Sequence, residues 1–290
     1  MPAATRSAGR ERLEAAIARL AAAGVDTARV DAEWLLAALL GVSRPALHLA
    51  LADELPPAVT VRFADVIERR ERREPLQQIL GWEAFRGLRL RVTPAVLVPR
   101  PETELLVEWA LALLPPSGRR PGPLVIDVGT GSGCIACALA AERSDLRVIA
   151  LDASPAAAAV ARTNVASLGL SARVTIAVAD LFSGLGALRA DLIVSNPPYL
   201  PTSVLPGLAP EVVGHEPPLA LDGGPDGLGV TRRLVGEAPA RLAPGGALVL
   251  ETAGGAQARA VVELMGTAGF VGVATRADLA GVERFVAGRR

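Results

Sequence analysis

The run Asn196-Pro197-Pro198-Tyr199 puts an amide, two rigid rings and the only tyrosine of the chain in consecutive positions. These are groups suited to holding a flat nitrogen. Asn196 can accept an N–H through its side-chain carbonyl, the backbone carbonyl of Pro197 can accept a second, and Tyr199 can stack on a planar acceptor. Proline fixes φ and therefore the direction of that carbonyl. An amide or exocyclic amine is a poor nucleophile because its lone pair is delocalised. Holding both hydrogens out of the reaction line turns the lone pair toward an electrophile, and such positioning supplies most of the rate effect. No general base is needed, since the nitrogen becomes strongly acidic only after alkylation. Asn196, Pro197 and Tyr199 are therefore the candidate catalytic residues, and with Pro198 they form the candidate acceptor site. A bare strand-terminating turn is the plainer reading, but the run follows an apolar strand candidate, Asp191–Ser195, where a ligand site is expected.

The second chemical signal is Val125-Ile126-Asp127-Val128-Gly129-Thr130-Gly131-Ser132-Gly133, three alternating glycines that follow a strand candidate and open a helix. Glycine lets the backbone approach a ligand with no Cβ in the way. A dinucleotide fingerprint needs its third glycine one place later, where this chain has Cys134. The GxGxG arrangement suits the amino-acid end of S-adenosyl-L-methionine, and assigns Asp127, Val128, Gly129, Thr130, Gly131 and Gly133 to that cofactor. Asp152 ends the next strand candidate, where a carboxylate can accept both ribose hydroxyls, a geometry shared with nicotinamide enzymes. Asp180 ends the third, where it could accept from an adenine amino group while Leu181 covers the ring; a turn cap is the alternative for Asp180. Asn196 borders both halves. Ligands of open α/β sheets bind at the carboxyl ends of strands, where all these residues fall. Read together, the runs indicate methyl transfer from S-adenosyl-L-methionine to a planar nitrogen, with S-adenosyl-L-homocysteine as product.

Alternating elements must position these groups. Strand candidates at 124–128, 147–151, 174–179, 191–195 and 247–251 alternate with helix candidates at 134–143, 155–168, 229–241 and 257–269. That alternation predicts a mainly parallel sheet with helices on both faces. Two further strands, 271–275 and 284–288, have a connection short enough to make them antiparallel. Upstream, from about Ser7 to Arg73, apolar residues such as Leu13, Ile17, Leu20 and Val30, Trp34, Leu35, Leu39 recur at helical spacing, with Gly24 and Gly41 at expected helix ends. The charge run Glu68–Glu74 reads as a solvated helical face with pairs such as Glu68 with Arg72. Pro75 ends the helix; Leu80–Val98 reads as a hairpin turning at Gly87; Pro99–Glu104 reads as a rigid charged turn before a helix at 105–114; and 115–123 reads as a surface loop. The division expected is a helical domain at 1–74, a hairpin linker at 75–104 and a catalytic α/β domain at 105–290.

Bulk properties narrow the classes. At 290 residues, a prior of about 150 residues per domain allows roughly two. Lys+Arg and Asp+Glu are both 30, and every basic residue is arginine. A neutral balance disfavours nucleic acid as the main partner, since such proteins carry a basic excess. Cys134 and Cys137 share a helical face and read as packing residues rather than a redox pair. His48 and His215 have no partners at metal-ligand spacing, so no metal is expected. No apolar window long enough for a membrane helix and no secretory h-region occur, which makes a cytoplasmic protein the expectation.

From about Glu74 onward the chain resembles the HemK/PrmC family, protein-glutamine N5-methyltransferases of peptide chain release factors. The residues that carry the resemblance are Pro75–Gly81, Phe85, Val96–Glu104 (with its Pro-Arg-Pro-Glu-Thr-Glu core), Asp127–Gly133, Asn196–Tyr199, Glu216-Pro217, Leu221–Leu228 and Asp278–Gly281. Asn-Pro-Pro-Tyr alone is shared with adenine-N6 methyltransferases of DNA; the Pro-Arg-Pro-Glu-Thr-Glu and Glu-Pro…Gly-Gly-Pro-Asp-Gly-Leu runs are far more specific. Gln78 departs from the family, which often has an aromatic residue there. The resemblance implies a class I, Rossmann-like methyltransferase with a seven-stranded, mainly parallel sheet, a small helical N-terminal domain that grips a protein substrate, and a linking hairpin. It implies a release factor as partner, methylated on the glutamine of a Gly-Gly-Gln loop. Arg100 and Glu102 of the Pro-Arg-Pro-Glu-Thr-Glu run join the candidate substrate site, with bracing of the hairpin as the alternative. The alternatives are an adenine-N6 methyltransferase of nucleic acid and a glutamine methyltransferase of a ribosomal protein.

Overall fold

The structure, a computed structural model, describes residues 8–51, 54–118 and 122–290. Ser7, where the helical reading begins, and residues 119–121 of the loop read at 115–123 lie outside the described residues. Contacts divide the chain into two units, Met1–Gly81 with Ala209–His215, and Trp82–Leu208 with Glu216–Arg290.

The first unit is helical: α1 (Ala8–Ala22), α2 (Ala28–Leu40), α3 (Leu47–Ala50), α4 (Pro57–Glu71) and α5 (Leu76–Leu80), joined by the helical turn Pro210–His215. Helical spacing brings Leu13, Leu20, Leu35, Leu36, Phe63 and Ile67 into one buried cluster. Gly41 caps α2 in the left-handed conformation, which only glycine adopts without strain. The charge run at the end of α4 divides in two. Arg72 pairs with Glu68 at 2.6 Å in solvent, as a helical i,i+4 pair should. Arg70 is turned inward, 2.7 Å from the buried Asp31 and 2.8 Å from Glu211, and Arg73 forks onto both oxygens of Glu211 at 2.8 Å. The solvated-face reading thus fails for these two arginines, because Asp31 and Glu211, distant in sequence, stand inside to receive them.

The second unit opens with a hairpin, β1 (Trp82–Phe85) and β2 (Leu88–Arg91), whose turn residues Arg86 and Gly87 both have positive φ. Two positive values match the twist of a two-residue hairpin. Then follow α6 (Pro101–Leu113), β3 (Leu124–Val128), α7 (Cys134–Glu142), β4 (Arg147–Asp152), α8 (Pro155–Ser167), β5 (Val174–Val178), β6 (Ala190–Ser195), α9 (Gly229–Arg241), β7 (Leu242–Glu251), α10 (Ala256–Thr267), β8 (Val271–Ala277) and β9 (Glu283–Arg289). The seven-stranded sheet runs β5-β4-β3-β6-β7-β9-β8, parallel from β5 to β7, with β9 antiparallel to both neighbours. The mainly parallel sheet expected from the alternation is present. Successive strand residues alternate between its faces: Val125, Leu192 and Val249 pack with α6 and α7, while Ile126, Ile193 and Leu248 pack with α9 and α10. Each fully buried side chain of this size contributes roughly 1.5–3 kcal/mol.

Several boundaries differ from the sequence reading. Leu80 ends a short helix rather than starting the hairpin region: α4 stops at Glu71, Arg73 turns the chain at φ 65°, and Pro75, with φ −56°, is the N-cap of α5. The run Pro101-Glu102-Thr103-Glu104 is the first turn of α6 rather than a turn before it; proline suits that position and the acids complement the helix N-terminus. β7 begins at Leu242, ahead of the expected 247. The division between units falls after Gly81 rather than after 74, and the hairpin groups with the sheet.

Candidate active site

The carboxyl ends of β3, β4, β5 and β6 open onto a cavity of about 520 Å³, within the ~300–1,000 Å³ usual for small-molecule sites. It lies where strand order reverses, between β3 and β6, the place at which open α/β sheets bind ligands.

The floor is the glycine loop. Gly129, Gly131 and Gly133 have φ of 72°, 56° and 81°, values that side-chain-bearing residues reach only at a cost. A Cβ on Gly133 would stand 3.3 Å from that of Ala161. Backbone bonds fold the loop over β4: Gly129 N and Thr130 N both donate to Leu151 O. Asp152 lines the cavity, with its oxygens accepting from Gly131 N and Ser154 N at 2.8 Å each; burial raises its carboxyl while these N–H groups lower it. Leu181 lines the far wall at φ 48°, strained backbone of the kind ligand clamps retain. Asp180 lines it too, paired with Arg233 at 2.9 Å.

Asp127 does not reach the cavity. It is fully buried under the loop and accepts from Thr130 Oγ1 at 2.6 Å, while its Oδ1 has no partner among the described residues. Burial pushes it up to about 7 against the pull of Thr130 and the Ala136 N–H. These residues fit S-adenosyl-L-methionine: bare backbone where an amino-acid end would lie, a carboxylate placed for ribose, and Val128, Ala179 and Leu181 for a flat base.

Asn196, Pro197 and Pro198 line the other end. Asn196 Nδ2 donates to Thr103 Oγ1 at 3.1 Å, and Thr103 Oγ1 donates to Glu251 Oε2 at 2.8 Å. Among the described residues nothing donates to Asn196 Oδ1 or to Pro197 O. Tyr199 is half-buried beside these, its hydroxyl 3.5 Å from Glu251 Oε1. Burial and Glu251 push its phenol up to about 12, so it is a neutral ring at neutral pH.

A second loop braces this run from behind. Leu200 N donates to Leu221 O and Gly223 N to Leu200 O. Thr202 Oγ1 donates to Asp222 Oδ1, and Gln257 Nε2 to Tyr199 O. A Cβ on Gly227 would stand 2.4 Å from Tyr199 O, so the Asp226-Gly227-Leu228 run is glycine where the tyrosine backbone passes.

The structure therefore gathers Val128, Gly129, Thr130, Gly131, Asp152, Asp180, Leu181, Asn196, Pro197, Pro198 and Arg100 around one cavity, and leaves Asp127, Gly133, Tyr199 and Glu102 off its lining. Glu102 is exposed on the first turn of α6. Arg100 Nη2 donates to Glu216 Oε2 at 2.6 Å, and Glu216 also accepts from Val98 N. Sequence reasoning missed Thr103, Glu251 and Asn164. The Asn164 amide takes Arg91 N on its oxygen and donates to Ser132 O, joining β2 to the glycine loop. A polar residue in an otherwise apolar strand or helix, as at Glu251 and Asn164, was the available signal. Among the described residues no group of His, Cys, Asp and Glu is placed to hold a metal ion, and no helix is long and apolar enough to cross a membrane.

Comparison with known proteins gives the family. Residues 11–81 match a family profile described as PrmC N-terminal domain, and residues 104–205 one described as Methyltransferase small domain. A release factor glutamine methyltransferase of Cereibacter sphaeroides is 47% identical over 96% of this chain and 97% of its own length. Another of that name, from Moorella thermoacetica, is 46% identical over 97% of this chain and 98% of its own. A crystal structure of a methyltransferase from Pyrococcus furiosus superposes with a TM-score of 0.55 at 20% identity, over 77% of this chain and 98% of that one, a likeness of fold. With a sheet, a glycine loop and an Asn-Pro-Pro-Tyr turn in these positions, the chain belongs to the release factor glutamine methyltransferase family.

Proposed function

We propose that this protein transfers a methyl group from S-adenosyl-L-methionine to the side-chain amide nitrogen (N5) of the glutamine in the Gly-Gly-Gln motif of a peptide chain release factor. The observation that carries the reading is a pair of acceptors, Asn196 Oδ1 and Pro197 O, unengaged among the described residues and next to a cavity that fits the cofactor. When bound, the cofactor supplies an electrophilic methyl on a sulfonium, and its departing half is S-adenosyl-L-homocysteine.

The chain's own residues then do the positioning. Gly129, Thr130 and Gly131 hold the amino-acid end, Asp152 accepts from ribose, and Asp180 and Leu181 border the base. Asn196 Oδ1 and Pro197 O each accept one N–H of the substrate amide, which fixes its plane and exposes the lone pair. The neutral ring of Tyr199, with Pro198, bounds the acceptor group and excludes water. After transfer the nitrogen releases a proton readily, and its remaining N–H stays on one of the two acceptors. Alignment and a desolvated site, rather than acid–base chemistry, supply the acceleration. Residues 1–74 are assigned to holding the protein substrate.

A radiolabelled methyl-transfer assay offering a release factor, a ribosomal protein and DNA side by side tests the reading. Label is expected on the release factor, none on a variant whose Gly-Gly-Gln glutamine is alanine, and none on DNA. In the Asn196→Ala protein turnover should fall far more than release-factor affinity. Robust methylation of DNA adenine with none on the release factor would replace the reading with an adenine methyltransferase.

A further inference from the structure

An asparagine amide has a donor end and an acceptor end of nearly equal shape, and packing alone does not decide which faces the substrate. In this chain the decision is made one and two hydrogen bonds away. Glu251, 1% exposed, ends β7; Thr103 sits in the first turn of α6; Asn196 follows β6. An ionised carboxylate can only accept. Thr103 must therefore spend its one proton on Glu251 Oε2, at 2.8 Å, leaving Oγ1 only lone pairs toward Asn196. The group opposite them has to be the NH2, as found at 3.1 Å, and Oδ1 is left for the acceptor nitrogen. The other oxygen of the same carboxylate lies 3.5 Å from the Tyr199 hydroxyl, so one buried group reaches Tyr199 directly and Asn196 through Thr103.

From this we infer that Glu251 is a positioning residue for the methyl acceptor: acting through Thr103, its negative charge sets the orientation of the Asn196 amide and thus which atom meets the reacting nitrogen. The inference rests on the function proposed above. If Glu251 takes up a proton it can donate to Thr103, whose own proton is then free to point at Asn196; the amide can turn over and present NH2, a donor, where an acceptor is required. Burial, with Glu102 on α6, raises Glu251 to about 7, while Thr103, Arg284 and Tyr199 pull it down. Arg284 is itself held by Asp278 at 2.9 Å, and Arg100 acts on Tyr199. The relay therefore titrates near neutrality.

The chain has only two asparagines, Asn164 and Asn196, so an asparagine-15N sample shows two side-chain NH2 pairs, which gives a readout independent of any substrate. In the wild type the Asn196 pair should shift between pH 6 and 8, and that shift should vanish in Glu251→Gln while any shift of the Asn164 pair persists. In parallel, kcat for the release factor should rise with pH over that window in the wild type and be flat in Glu251→Gln. Thr103→Val should lower kcat roughly 10–100-fold, the scale of a misplaced reacting group, with cofactor affinity by calorimetry within about twofold. Thr103→Ser, which keeps the hydroxyl, should stay within about threefold of wild type. An Asn196 resonance that does not move with pH, a pH–kcat profile unchanged in Glu251→Gln, or a Thr103→Ser protein as impaired as a folded Thr103→Val would each overturn the relay. A wild type that labels no release factor but shows the titrating Asn196 pair would count against the proposed substrate and leave the relay standing.

Discussion

Arg100 donates to Glu216 across 2.6 Å, joining the Pro-Arg-Pro-Glu-Thr-Glu run to the Glu-Pro run more than a hundred residues later. The carboxylate is almost wholly enclosed, the guanidinium about one third exposed. The pair fastens the chain just ahead of α6 and so the helix turn that carries Thr103. Arg100→Gln leaves the buried carboxylate without its charged partner, with only Val98 N still donating, which should cost about 1–3 kcal/mol of stability. Thermal unfolding of the variant checks this. A loss of substrate affinity with no change in melting temperature would instead make Arg100 a substrate contact.

Gly227 and Gly224 both have positive φ, but only Gly227 has a neighbour, Tyr199 O, where a side chain would go. Gly227→Ala should therefore move Tyr199 and lower kcat by about tenfold or more, whereas Gly224→Ala should show only the ~1 kcal/mol backbone strain. Steady-state kinetics and melting temperature of the two variants separate clash from strain; equal kcat values would contradict the assignment.

Asp152 holds the glycine loop, since both its oxygens accept from backbone, and is also the residue proposed for the ribose. Asp152→Ala is expected to weaken cofactor binding roughly 10–100-fold, as the loss of hydrogen bonds to a charged group does, and to lower the melting temperature by a few degrees. Unchanged affinity in calorimetry would remove Asp152 from the cofactor site.

Stability should change with pH in two limbs. Asp127 titrates near 7 in the folded chain, above its ordinary value of 3.8. The folded state then binds more protons, so this contribution is full below about pH 4 and is lost as pH rises toward 7, at about 1.4 kcal/mol per pH unit. Glu211, drawn down to about 2 by Arg73 and Arg70, behaves oppositely: its contribution is present above about pH 4.5 and is lost as pH falls toward 2. Calorimetric unfolding across pH should show the neutral limb, to which the buried Glu251 also contributes, become shallower in Asp127→Asn, and the acid limb flattened in Glu211→Gln. A neutral limb as steep in Asp127→Asn as in the wild type would mean that Asp127 is ionised in the fold.

The sequence alone determined the alternation of strands and helices, the glycine loop and the Asn-Pro-Pro-Tyr turn, because each depends on local rules: apolar periodicity, glycine where φ is positive, proline where a carbonyl must be fixed. That is why β3, from Leu124 to Val128, and α9, from Gly229 to Arg241, have the boundaries read from the chain. Glu251, Thr103 and Asn164 carry no such local mark. Each is polar in an element whose pattern asks for apolar or indifferent residues, and its reason is a partner 148, 93 or 73 residues away. The same holds for Arg70 and Arg73, which are held by Asp31 and Glu211, and for Ala209–His215, which joins the helical unit although its neighbours in sequence belong to the second unit. A buried polar group is stable only with a partner that satisfies it, and which partner arrives is settled by the tertiary fold.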